Sequence, residues 1–236
     1  MRPETAAEPR ATGGGIVADG VGLTIDGREV LHDVTLRLTA RRTAVIGANG
    51  SGKSSFARLL NGLRMPTAGA LSVLGLDPRR DAAALRARVG FVFTNPEAQI
   101  LMPTPAEDVA LSLRGLGRRE ADARAREILA GHGLDALADV PASALSGGQR
   151  QLLAIASVLA SGPAMLVADE PTTLLDLRNA RRIGDLLLGL DIPVVLVTHD
   201  LELAARCEEA VLFQDGRVGA VGEPETVIRT YRAECG

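Results

Sequence analysis

From Ile16 to Leu38 apolar and polar residues alternate, IVADGVGLTIDGREVLHDVTLRL, with Asp26-Gly27 in the middle. A period of two turns one side of a strand to a core and the other to solvent, and an Asp-Gly pair marks the turn between strands. Two or three strands are expected here. The pattern then changes. TAVIG (43–47), GALSVLG (69–75), VGFVF (89–93), AMLVADE (164–170) and PVVLVTHD (193–200) also read as strands. Several of these are apolar throughout, as strands buried on both faces are. Between them KSSFARLLNGL (53–63), residues 105–138, the stretch from Leu145 to Ala160 and ARRIGDLLLGL have helical spacing. AVLFQDGRVGAVG (210–222) reads as a closing hairpin around Asp215-Gly216. Strands alternating with helices predict an α/β fold with a parallel sheet, in which ligands gather at the carboxyl ends of the strands. Residues 1–15 read as a flexible tail ahead of one domain, 16–236, with a helical insert over about 96–160.

Composition narrows the class. Aromatic residues are only 2% of the 236, so Leu, Val, Ile and Ala must build the core. A formal charge of -3 gives no general attraction to nucleic acid or an anionic membrane. The first residues hold no apolar signal region. LLAIASVLASGPAMLVA (152–168) is broken by Gly162-Pro163 and followed by Asp169 and Glu170, so it reads as buried helix, turn and buried strand, not a membrane span. Cys207 and Cys235 lack metal or redox spacing and read as free thiols in a reducing compartment. A soluble, cytoplasmic chain is expected.

Of 26 basic residues one alone is lysine. Arginine serves everywhere else, so Lys53 marks a place that needs a compact point charge, not a planar fork. It stands in GANGSGKS (47–54), the G-x-x-x-x-G-K-[ST] pattern. Gly47, Ala48, Asn49, Gly50, Ser51 and Gly52 would turn backbone N–H groups onto phosphates, with Ser54 and Ser55 opening the following helix at its positive end. Lys53 would reach the outer phosphates and the Ser54 hydroxyl a magnesium ion. MLVADEP (165–171) sets two acids at the end of a buried strand. Asp169 would hold the metal, and Glu170 would orient or deprotonate a water aimed at the γ-phosphate. VTHD (197–200) puts His199 beside them, whereas His32 and His132 read as surface residues. In LSGGQRQ (145–151), Ser146 and two glycines start a second helix with an anion-binding end. One cradle and one helix start can serve the same nucleotide only if two chains meet head to tail.

GANGSGKS, TNPEAQ, LSGGQ, MLVADEP, TTLLD and VTHD follow one another in this order. Over nearly its whole length the chain resembles an ATP-binding cassette (ABC) ATPase. The resemblance implies a P-loop NTPase with a RecA-like parallel core, an antiparallel β subdomain and a helical insert. It implies two ATP molecules held between two subunits, each γ-phosphate lying between Lys53 of one and Ser146, Gly147, Gly148 and Gln149 of the other. Glu170 would be the general base, His199 the γ-phosphate switch, and Asp176 would communicate across the interface. FTNPEAQI (93–100) resembles the coupling segment of energy-coupling-factor (ECF) importers for vitamins or for cobalt and nickel ions. Thr94 stands where that pattern has its first Gln, and Gln99 keeps the second. Thr94 would reach magnesium only through a water, and this variant resembles biotin-uptake ATPases. The implied partners are a second ATPase subunit, an integral-membrane scaffold and a substrate-binding membrane subunit, at the cytoplasmic face of the inner membrane. In two places the chain departs further. Ile25 replaces the aromatic that stacks on adenine, and Leu174 replaces a glycine in TTLLD. A soluble ABC ATPase acting on nucleic acid would want a basic face, a coiled-coil insert or tandem cassettes, which the sequence lacks. A P-loop kinase is opposed by LSGGQ.

Overall fold

The computed structural model describes residues 15–235, with side chains to residue 233. Residues 1–14 of the expected tail and the Cys235 thiol lie outside the described part.

The alternating segment forms two strands, β1 (Ile16–Ile25) and β2 (Arg28–Leu38). Asp26 and Gly27 both take positive φ, 49° and 76°, which is what a tight turn between twisted strands requires. A third strand, β4 (Ala68–Val73), pairs with β1, giving an antiparallel sheet in the order β2-β1-β4.

The second sheet has six strands. They are β3 (Arg42–Ile46), β5 (Val89–Val92), β6 (Met165–Asp169), β7 (Val194–Val197), β8 (Glu209–Gln214) and β9 (Arg217–Gly222), in the order β5-β6-β7-β3-β8-β9. All pairings are parallel except the closing β8–β9 hairpin. Because successive side chains face opposite ways, the parallel strands feed two separate cores. Ala44, Leu166, Ala168, Leu196 and Leu212 enter one, with the helices. Val45, Val167, Val195, Val197 and Phe213 enter the other, beneath the antiparallel sheet and α1 (Lys53–Leu60). The apolar runs in the sequence have this cause. Phe56 on α1 meets Phe213 with ring centroids 5.1 Å apart, fixing that helix over β8.

The segment expected to be helical over 105–138 divides into α3 (Pro105–Ser112) and α4 (Arg118–Gly131). Gly115, at φ 86°, turns the chain between them. α3 and α4 pack on α5 (Gly147–Ala160), and α6 (Leu177–Leu188) follows β6. Three helices were not legible in the apolar pattern: α2 (Ala82–Arg88), α7 (Leu201–Ala205) and α8 (Pro224–Cys235). Two are short, and among the described side chains of α8 only Pro224, Val227 and Ile228 are buried, too few for a clear period. Among the described residues no helix is long and apolar enough to cross a membrane. Cys207 is a buried free thiol, and burial pushes its pKa up to about 11.

Candidate nucleotide site

The loop between β3 and α1 folds as its glycines demand. Gly47, Gly50 and Gly52 have φ of 140°, 82° and 101°. A Cβ on Gly47 would lie 2.2 Å from the Phe213 carbonyl oxygen, so no larger residue fits without moving β8. Lys53 is 5% exposed, and its Nζ donates to the carbonyls of Gly47 (2.7 Å) and Ala48 (2.8 Å). Burial lowers its pKa, opposed by the nearby charges of Glu170 and Asp169. Ser51 Oγ is buried without a hydrogen-bond partner among the described residues. The loop borders a cleft of about 540 Å³ lined by Asn49, Gly50 and Gly52 to Ser55, with Glu170 on one side.

The acids arrive from β6. Ser54 Oγ donates to Asp169 Oδ1 at 2.8 Å, and Arg58 approaches the other carboxylate oxygen at 3.7 Å. Asp169 is 1% exposed, and burial raises its pKa against the pull of Ser54, Arg58 and Lys53, with Glu170 adding to the rise. A carboxyl whose folded pKa lies above its unfolded value favours folding in its protonated form. Its charge therefore costs stability once pH rises through the folded pKa. Asp169→Asn keeps the acceptor for Ser54 and removes the charge. The nucleotide-free chain should gain about 2–4 °C in thermal midpoint, the scale of 1 kcal/mol at this size. A lowered midpoint in a thermal-shift assay would contradict this account.

Glu170 has φ 54°, rare for a residue with a side chain and typical of functional positions. Its carboxylate accepts from Thr173 Oγ1 at 2.9 Å and lies 2.7 Å from His199 Nδ1. With the carboxylate as acceptor in this contact, Nδ1 is the nitrogen that carries the proton.

Other expected site residues fall elsewhere. Ser146 caps α5 in a reciprocal pair: its Oγ accepts from Gln149 N at 3.3 Å, and Gln149 Oε1 accepts from Ser146 N at 2.8 Å. Neither they nor Gly147 and Gly148 line the cleft of their own chain. Thr94 Oγ1 donates to the Asp169 carbonyl at 2.9 Å, so the hydroxyl serves the backbone of β6. Gln99 accepts from Phe93 N at 3.1 Å and donates to Phe91 O at 3.3 Å, holding the end of β5. Asp176 caps α6 through Asn179 N at 2.9 Å, and Leu174 is 65% exposed. Ile25 packs partly buried on the second core and is not among the cleft lining. The outer wall is instead Val30, His32 and the Asp215-Gly216 turn. His32 is half-buried there, tied to Glu29 at 3.0 Å, so it is not the plain surface residue expected. His132 is also half-buried, and burial lowers its pKa. Gly216 N donates to Ser51 O (3.0 Å) and His32 N to Gly216 O (2.8 Å), bonds between distant segments that no local pattern announces.

The residues fit a nucleoside triphosphate and magnesium. A glycine cradle with no room for a Cβ at Gly47, a buried hydroxyl without a partner and an ammonium held by two carbonyls are a phosphate site's features. The Ser54 hydroxyl and Asp169 carboxylate are the oxygen pair that magnesium takes alongside phosphates and water. Together they have the features of a P-loop nucleoside triphosphatase site.

The family follows from comparison. Residues 31–173 match the model of the ABC transporter family, and the chain belongs to that family. It is 46% identical to a putative ABC transporter ATP-binding protein of Bartonella quintana, over 86% of this chain and 90% of the relative. It is 43% identical to the biotin transport ATP-binding protein BioM of Rhizobium etli, over 91% and 96%. Among solved structures, cbiO1 of Clostridium perfringens, part of the ABC transporter complex cbiONQ, superposes with TM-score 0.81 at 29% identity, covering 92% of each chain. A dimeric ATP-binding cassette in a post-hydrolysis state with ADP and phosphate gives 0.78 at 30% identity, over 89% and 98%. The chain is therefore an ATP-binding ABC transporter ATPase. The P-loop fold and the likeness to biotin-transport ATPases expected from the motifs are borne out.

Proposed function

We propose that this chain is the energy-coupling ATPase of an ECF-type membrane importer for a vitamin, with biotin favoured, or a transition-metal ion. The observation that carries the reading is the split site: the cradle and Glu170 line one cleft, while the Ser146 helix start lies outside it. Two copies, or this chain and a paralogue, meet head to tail so that Ser146, Gly147, Gly148 and Gln149 of one complete the cleft of the other. Gly47 to Gly52 bind the phosphates of ATP, Lys53 the outermost, with Ser55 at the start of α1. Magnesium, held by Ser54 and Asp169 with Thr94 behind Asp169, would neutralise phosphate charge. Glu170 takes the proton of the attacking water. His199 needs a second proton, or release from Glu170, before it donates to the γ-phosphate, since its Nδ1 proton is already engaged. Asp176 fixes the start of α6 in the segment that crosses to the partner. Residues 96–160 form the helical subdomain, and membrane scaffold and substrate-binding subunits hold the chain at the inner face of the membrane. The relatives named for biotin transport and the complex containing cbiO1 support this reading.

Co-expression with a membrane scaffold and a substrate-binding subunit tests it. The chain should co-purify from detergent extract and support ATP-dependent biotin accumulation. Recovery only as a separate soluble species, without uptake, would overturn it. Thr94→Gln gives up the bond to the Asp169 carbonyl and crowds a cavity of about 130 Å³. Coupled uptake should fall about tenfold, the upper scale for one hydrogen bond. Unchanged uptake would remove this position from the coupling.

A further inference from the structure

Gln151 stands in the second turn of α5, with its side chain 1% exposed and its Nε2 buried without a partner among the described residues. Buried amides are almost always paired, because an unmet donor away from water costs free energy. This one borders a small cavity of about 130 Å³. Thr94 and Glu97 after β5, Gly147 at the start of α5, and Pro171 and Leu175 after Glu170 form other walls. Three segments of the proposed composite site thus border the same small cavity as Gln151. Thr94 is the suitable acceptor. Its hydroxyl hydrogen is committed to the Asp169 carbonyl, which leaves its oxygen lone pairs open.

We propose that, when ATP draws two copies together, Gln151 Nε2 donates to the Thr94 hydroxyl and completes a chain from Gln151 through Thr94 to the Asp169 carbonyl. The chain ties the helix led by Ser146 to the strand end that carries Asp169 and Glu170. Gln151 is then a positioning residue: it touches neither nucleotide nor metal, and its bond exists only in the closed pair. The inference rests on the head-to-tail reading and on Glu170 as the base. A glutamine at position 94 would fill the cavity that the threonine leaves open, so the arrangement suits this chain's own residue.

The test compares ATP-dependent dimerisation of Glu170→Gln alone and with Gln151→Met, Thr94→Val or both, by analytical ultracentrifugation. Gln151→Met should weaken the dimer at least tenfold, and the double change should be no worse than the stronger single one, as for partners in one bond. Gln151→Met should leave the nucleotide-free thermal midpoint at or above that of the parent, because the lost donor was unpaired. In an otherwise unchanged chain its turnover should fall while the KM for ATP holds. Equal dimer affinity, fully multiplicative effects, or a lowered nucleotide-free midpoint for Gln151→Met would each overturn the proposal. If Glu170→Gln itself forms no ATP-dependent dimer, the head-to-tail reading fails first, so the two failures are distinguishable.

Discussion

Glu170→Gln is expected to lower ATP turnover about a hundredfold or more, the usual scale for loss of a general base, while leaving ATP binding intact. The geometry separates the two effects. In the proposed site phosphate binding rests on the cradle and Lys53, whereas the Glu170 carboxylate is held by Thr173 and His199 at 2.9 and 2.7 Å. An amide keeps the size of the carboxylate and its acceptor oxygen for Thr173 but cannot take a proton from water. The positive φ of Glu170 and its bond from N to the Val197 carbonyl hold the backbone, so the substitution should not disturb folding. With turnover blocked, ATP should accumulate in a closed pair. Phosphate release and size-exclusion chromatography with ATP check both halves of the expectation. Normal hydrolysis would show that another group is the base.

Lys53→Ala should act at the earlier step. The ammonium is 5% exposed, and the described structure gives it no acid partner within salt-bridge distance, only two carbonyls. Burial disfavours its charge, which the charges of Glu170 and Asp169 only partly offset, and a bound phosphate would add counter-charge. One charge-assisted hydrogen bond contributes about 1.5–3 kcal/mol, and the truncation also leaves the Gly47 and Ala48 carbonyls without their donor. ATP affinity should therefore drop at least about tenfold, with turnover falling to background. Lys53→Arg should not restore it, because the guanidinium fork does not fit where a point charge sits between two carbonyls. A fluorescent-nucleotide titration measures the loss. Unchanged affinity for Lys53→Ala would remove Lys53 from phosphate binding.

How much of this was legible beforehand depended on whether a feature was local. The β1–β2 hairpin, the buried strands and the Ser146 cap follow from period, turn chemistry and capping within short windows, and the structure places them as expected. The cradle was equally plain, since its glycines and lone lysine lie within eight residues. The outer wall of the cleft was not. Val30 and His32 lie on β2 of one sheet and Gly216 in the turn closing the β8–β9 hairpin of the other, and they meet where that turn docks on Ser51 and His32. Gln151 was invisible for the same reason, as its meaning comes from a cavity shared with Thr94 and Pro171. Thr94 shows the opposite case: its departure from the Gln pattern was plain, but its partner, a backbone carbonyl 75 residues away, was not.

Everything mechanistic here depends on two chains sharing each nucleotide. The structure of the Glu170→Gln chain with ATP and magnesium tests this most directly. The account predicts a head-to-tail pair in which each terminal phosphate lies within hydrogen-bond distance of Lys53 from one chain and of Ser146 and the Gly148 amide from the other. A terminal phosphate contacted by one polypeptide alone, in a complex that turns over ATP when Glu170 is restored, would contradict it.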